Sequence, residues 1–133
     1  MDSSSIQLKG SEIESVQEDG SEVRIYFSKA IIIKSMTGSV EKTKWWQQGY
    51  LIFGDAEVVN KPDLPLLCDG GDVGENVYTY RDMIPIPLDS RGRAQCNLYF
   101  QGSDERLIID ASSVRLEMLD VPKYIEHIRP LSA

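Results

Sequence analysis

The side chains best suited to chemistry in this 133-residue chain are a set of aromatics, a glycine-rich acidic run and one histidine. Trp45, Trp46 and Tyr50 fall on one segment, and Tyr78, Tyr80 and Arg81 on another. Aromatic faces flanked by polar groups bind sugars, bases and peptides by stacking. Lys42, Lys44 and Gln47 supply such company. Adjacent residues on a strand point to opposite faces, so at least one tryptophan is expected at the surface. Trp45, Trp46, Tyr50, Tyr78, Tyr80 and Arg81 are therefore the candidate ligand-binding residues.

Asp69, Asp72 and Glu75 lie in the run Asp69-Gly70-Gly71-Asp72-Val73-Gly74-Glu75-Asn76. Carboxylates in a flexible loop are what a hard cation such as calcium requires, but the spacing matches no EF-hand. A solvated acidic loop is the simpler reading, and no cofactor is expected. A Ser–His or Cys–His nucleophilic site would have to use His127, the sole histidine, and Asp82 beside Arg81 could serve as a catalytic acid. No Gly-x-Ser-x-Gly elbow is present. Cys68 and Cys96 stand 28 residues apart, and neither belongs to a Cys-x-x-Cys pair, which gives a zinc site little support.

Around these residues the dominant pattern is alternation with a period of two, the mark of half-buried strands. Val23, Ile25 and Phe27 alternate with Arg24, Tyr26 and Ser28, and Val114, Leu116 and Met118 alternate with Arg115 and Glu117. Turn signals such as Asp19-Gly20-Ser21 and Gly102-Ser103-Asp104 separate the runs. Strands are expected over 12–18, 22–35, 43–59 with a break, 76–88, 93–101, 105–111 and 113–119, with 5–9 as a short edge strand. Residues 25–32, 51–58 and 107–114 share a form in which two polar or small residues interrupt the alternation, as a bulge or sharp bend does. Pro85 and Pro87 remove donors from the same side of one strand, which suits a blocked sheet edge. The expected fold is all-β, an antiparallel seven- to nine-strand sandwich or flattened barrel with a short C-terminal tail segment, a helix, strand or coil over 123–129. It forms one domain over residues 1–133, with 1–5 disordered and 60–75 a long loop.

Composition narrows the function classes. Fourteen cations against 21 carboxylates give a net charge of −7. That balance disfavours nucleic acid and anionic membranes as partners unless a local basic patch exists. The amino terminus lacks the pattern of a secretory signal, and the longest unbroken apolar run, 30–33, cannot cross a bilayer. A cytoplasmic location with two reduced thiols is expected. If Ala30 and Ile32 face the core, Ile31 and Ile33 face away and need cover from another layer or subunit. The leading expectation is thus a protein-interaction or assembly module that binds a protein partner or a second copy of itself, with Ile31 and Ile33 at the interface. A small-ligand or carbohydrate binder is the alternative, and a carboxylate–histidine enzyme the third.

Overall fold

The structure, a computed structural model, describes residues 2–38 and 40–129. Nine strands follow in order: β1 (Ser3–Asp19), β2 (Glu22–Ser35), β3 (Lys42–Gly54), β4 (Glu57–Asn60), β5 (Leu66–Glu75), β6 (Tyr78–Arg81), β7 (Met83–Ile86), β8 (Asp89–Phe100) and β9 (Ser103–Ile128). The period-two residues behave as their spacing dictates. Val23, Ile25 and Phe27 are buried, while Arg24, Tyr26 and Ser28 face outward and are half-covered.

All nine strands belong to one antiparallel sheet, ordered β6-β5-β8-β9-β3-β2-β1-β7, with β4 paired to β9. The sheet curls on itself, and β1 meets β5 through Glu12 opposite Leu67 and Ile13 opposite Leu66. The result is ring-like without being a complete barrel, because this closing seam is two residue pairs long. Inside it lies one apolar cluster drawn from β1, β2, β3, β5, β7, β8 and β9, with Phe27, Phe53, Leu98, Leu107 and Ile109 among its largest members.

The seam is completed by the β6–β7 corner. Asp82 adopts a left-handed conformation, φ 63°. Its N–H donates to the Gly71 carbonyl at 2.8 Å, and its carbonyl accepts from the Leu8 N–H at 2.9 Å. Its carboxylate accepts from the Gly71 N–H at 3.0 Å. One residue thereby links β5 to β1 where the two strands diverge. Aspartate tolerates this backbone better than most side chains do. Glycine is needed at position 71, where φ is +140° and a Cβ would meet the Asn97 carbonyl and lie 2.7 Å from the Leu98 Cα.

Two of the bends read from sequence coincide with breaks in regular pairing. The β2–β3 register slips between Phe27 and Ala30, and β3 ends at Gly54 before β4 resumes the line along β9. β7, carrying Pro85, ends the sheet order and pairs only with β1.

Several expectations are corrected. Residues 60–75 are not one long loop, since 66–75 form β5 between β6 and β8. Its glycines read as loop residues, but here they let strands approach closely. Residues 3–5 are not disordered, because β1 begins at Ser3 and pairs with both β2 and β7. Met1 lies outside the described residues. The strand expected over 76–88 is broken by a hairpin at 76–77 and by the Asp82 corner. The 123–129 tail continues β9 along β3 as far as Ile128.

Ile31 and Ile33 are not an uncovered face either, with relative exposures of 7% and 6%. β2 is an interior strand here, so each isoleucine is flanked on both sides. Ile31 lies opposite Gln7 and Trp46, and Ile33 opposite Ser5 and Lys44. The Ile31 N–H also donates to Ser11 Oγ at 2.9 Å. The homodimer proposed through this strand loses its motive.

Replacing Asp82 with Ala is expected to cost about 1–3 kcal/mol, because the Gly71 N–H loses its acceptor and the left-handed corner becomes less favourable. Gly71→Ala, which adds a backbone clash to a disfavoured φ, is expected to cost more than about 3 kcal/mol. Urea unfolding of the two variants checks both values and their order.

Candidate functional site

The outer face of β6, β5, β8 and β9 carries an extended groove built from sequence-distant polar groups. Its floor is low because β5 supplies Gly74 there, opposite Thr79 of β6 and Gln95 of β8. Any larger side chain at 74 would fill the space between those two. Two adjoining hollows of about 260 and 330 Å³ share Thr79 and Gln95. The first reaches Asn76, Tyr78 and Arg93, and the second reaches Asp72, Arg81, Asn97 and Asp110.

Short polar contacts hold these walls. Arg81 Nε donates to Asp72 Oδ1 at 3.0 Å, and this bond, reinforced by the carboxylate's charge, raises the guanidinium pKa. Arg106 lies 5.5 Å from the centre of the Tyr99 ring and points Nη1 at Asn97 Oδ1, 3.5 Å away. Asn76, at the hairpin with φ 49°, donates its side-chain amide to the Arg91 carbonyl at 3.1 Å. The groove thus presents guanidinium and amide donors beside carboxylate acceptors, with charges of both signs. That arrangement hydrogen-bonds a polyhydroxylated ligand and offers little to a purely apolar one.

Of the sequence candidates, Tyr78, Arg81 and Asp72 line this groove. Tyr80 turns the other way, packs against the core and donates its hydroxyl to Glu75 Oε1 at 2.8 Å, which raises the phenol pKa. Asp69, Asp72 and Glu75 are not gathered as a cation site, since Asp72 pairs with Arg81 and Glu75 accepts from Tyr80. Among the described residues, no group of three His, Cys, Asp or Glu side chains is placed to hold a metal ion.

The tryptophans do not form one platform with Tyr50. Trp45 and Trp46 take opposite faces of β3, as strand geometry requires. Trp45 meets Tyr124 edge-on at 5.3 Å, with Lys34 Nζ 4.5 Å from its ring centre. Trp46 carries Lys123 at 4.5 Å and Lys29 at 5.9 Å. Tyr50 lies 5.1 Å from Tyr26, with the Arg24 guanidinium 6.0 Å from its ring centre. Ammonium and guanidinium groups therefore already attend the ring faces that a ligand would stack on.

The catalytic candidates occupy different places. Asp82 is the corner clasp, whereas His127 lies near the end of β9, opposite Thr43, with Nε2 2.7 Å from Glu41. Cys68 and Cys96 are free and buried. Burial pushes the Cys68 thiol up from 9.0 to about 11 and raises Cys96 as well.

Sequence reasoning missed Thr79, Gln95, Asn97 and Asp110. They are ordinary polar residues on three strands, and only the β5–β6, β5–β8 and β8–β9 pairings bring them together. The available signal was Gly74, since a glycine inside a strand marks a close approach or an open surface.

The raised thiol pKa values favour the protonated folded form. Their stabilisation is expected to be complete below pH 9, where unfolded thiols titrate, and to be lost as pH rises towards 11. Urea unfolding across that range should show the decline, and Cys68→Ala should reduce it. At pH 8 both thiols should resist a disulfide reagent until guanidinium exposes them. Comparison of the chain with protein-family models, with curated proteins and with solved structures finds no match.

Proposed function

We propose that this protein is a cytoplasmic binding module that holds a hydroxyl-rich small ligand, of carbohydrate chemistry, in the β6–β5–β8–β9 groove. The observation that carries this reading is the glycine floor at position 74, walled by Thr79 and Gln95 and continued by the Arg81–Asp72 pair and Asn97. A gap left in an otherwise covered strand surface, and rimmed by convergent donors and acceptors, is how a sheet makes room for a polar ligand. The location in the cytoplasm rests on two free, buried thiols in a chain of low cysteine content. The interaction-module reading keeps less support, because the isoleucines that motivated it are buried.

The test is titration of the protein with a panel of mono- and oligosaccharides, followed by backbone amide NMR shifts. Binding should move the amides of Gly74, Gln95 and Asn97 first. Gln95→Ala and Asn97→Ala should each weaken binding about tenfold, the value of one hydrogen bond to a polar ligand, with little change in Tm. Gly74→Ala places a Cβ 3.1 Å from the flexible Gln95 Cγ, so it should fold and bind less. A panel that shifts only residues outside the groove would refute the assignment.

A further inference from the structure

Charge is distributed very unevenly over this acidic protein. Residues 29–46 and 120–129 hold six cations, Lys29, Lys34, Lys42, Lys44, Lys123 and Arg129, against the carboxylates Glu41, Asp120 and Glu126. That is a net +3, which leaves −10 on the rest of the chain. The fold gathers these two segments, because β2, β3 and the end of β9 run side by side as one end of the sheet, here called the arm; the start of β1 flanks β2 there, with Ser3 opposite Ser35, and adds the single carboxylate Asp2. Ser35 lies opposite Lys42, Lys42 opposite Ile128, and Trp46 opposite Lys123.

The end of the arm is apolar where a turn would ordinarily be polar. Met36 and Val40, in the connection between β2 and β3, have relative exposures of 62% and 77%. Behind them, Trp45 and Tyr124 stand edge-on, four to five residues or ~15 Å down the strands. Tyr124 and Ile125 are themselves exposed. Of the acids, Glu126 is met by Lys44 at 3.5 Å and Glu41 by His127 at 2.7 Å, while Asp120 sits at the far end of the segment.

We infer that this arm docks end-on to an anionic lipid surface. Met36 and Val40 enter the headgroup region, and the lysines behind them engage lipid phosphates and carboxylates. Three observations select this occupant together. Exposed aliphatic side chains at a strand tip have no use on a nucleic acid but find apolar cover in a bilayer. Lysines, as mobile point charges on long apolar stems, suit an unpatterned anionic surface. The opposed charges of arm and body orient the molecule, with the body repelled. The docking face is separate from the β6–β5–β8–β9 groove, so the two readings stand or fall independently.

The test is co-flotation of the purified protein with vesicles of phosphatidylcholine alone, and with 30% phosphatidylserine. Binding is expected only to the anionic vesicles, with loss at high salt because the Debye length contracts. Met36→Asp combined with Val40→Asp should abolish flotation. Lys42→Gln combined with Lys44→Gln should weaken it about tenfold. Met36, Val40 and Lys42 are exposed, and Lys44 is half-covered beside Glu126, where an exposed ion pair contributes little to stability, so circular dichroism should be unchanged. No flotation with anionic vesicles at low salt would overturn the inference. So would flotation unaffected by these variants, or tighter binding of a single-stranded oligonucleotide through the same lysines.

Discussion

Asp82 holds the two ends of the sheet together. A sheet that curls far enough to enclose a core must deal with strands that meet at one end and part at the other, and here β1 and β5 share only two residue pairs. Beyond them, backbone groups of the buried Leu8 and Gly71 would be left unpaired, at a cost of roughly a hydrogen bond apiece. Asp82 supplies the missing partners with its own N–H, carbonyl and carboxylate. The left-handed corner is what allows all three to point the right way. The β6 and β7 edges, and through β6 one wall of the groove, inherit their positions from this residue.

The same economy governs the interior of β1. Its register against β2 slips between Gln7 and Glu12, and the slip would strand polar groups inside the ring. Ser11, fully buried, resolves this by donating to the Gln7 carbonyl at 2.6 Å and accepting from the Ile31 N–H. No buried side-chain nitrogen or oxygen among the described residues lacks a partner. At these two irregular points side-chain groups supply partners that the strand ladder does not, which keeps a curled sheet from fraying at its bends.

The outer surface divides by chemistry. Around β2, β3 and β9, Glu22 bridges Arg24 and Arg115, and Arg115 also reaches Glu117. Ile52, opposite Arg24 and Arg115 on this face, has a relative exposure of only 2%. Exposed ion pairs of this kind contribute little to stability individually, and their aliphatic stems cover apolar surface. Over β5 the side chains are instead absent or short, and a polar groove opens between β6 and β8. The contrast follows from residue size: where β3 places tyrosine and isoleucine, β5 places glycine.

The strands themselves were legible in the sequence, because a two-residue period and turn residues are local properties of the chain. Interruptions at 28–29 and 54–55 were legible for the same reason, as was the blocked edge at Pro85. β5 was hidden, because its glycines carry no apolar alternation and resemble loop residues until neighbouring strands supply its pairs. Of the groove, Arg81, Asp72 and Tyr78 stood out as chemically able, but Gln95, Asn97 and Asp110 did not. Their meeting depends on pairings across 15 to 25 residues, Gln95 with Asp110 and Asp72 with Asn97 among them, that no local pattern records. Face and burial diverged in the same way. Residue spacing determined that Ile31 and Ile33 oppose Ile32, but only the strand order, with β1 and β3 on either side of β2, decided that they are covered.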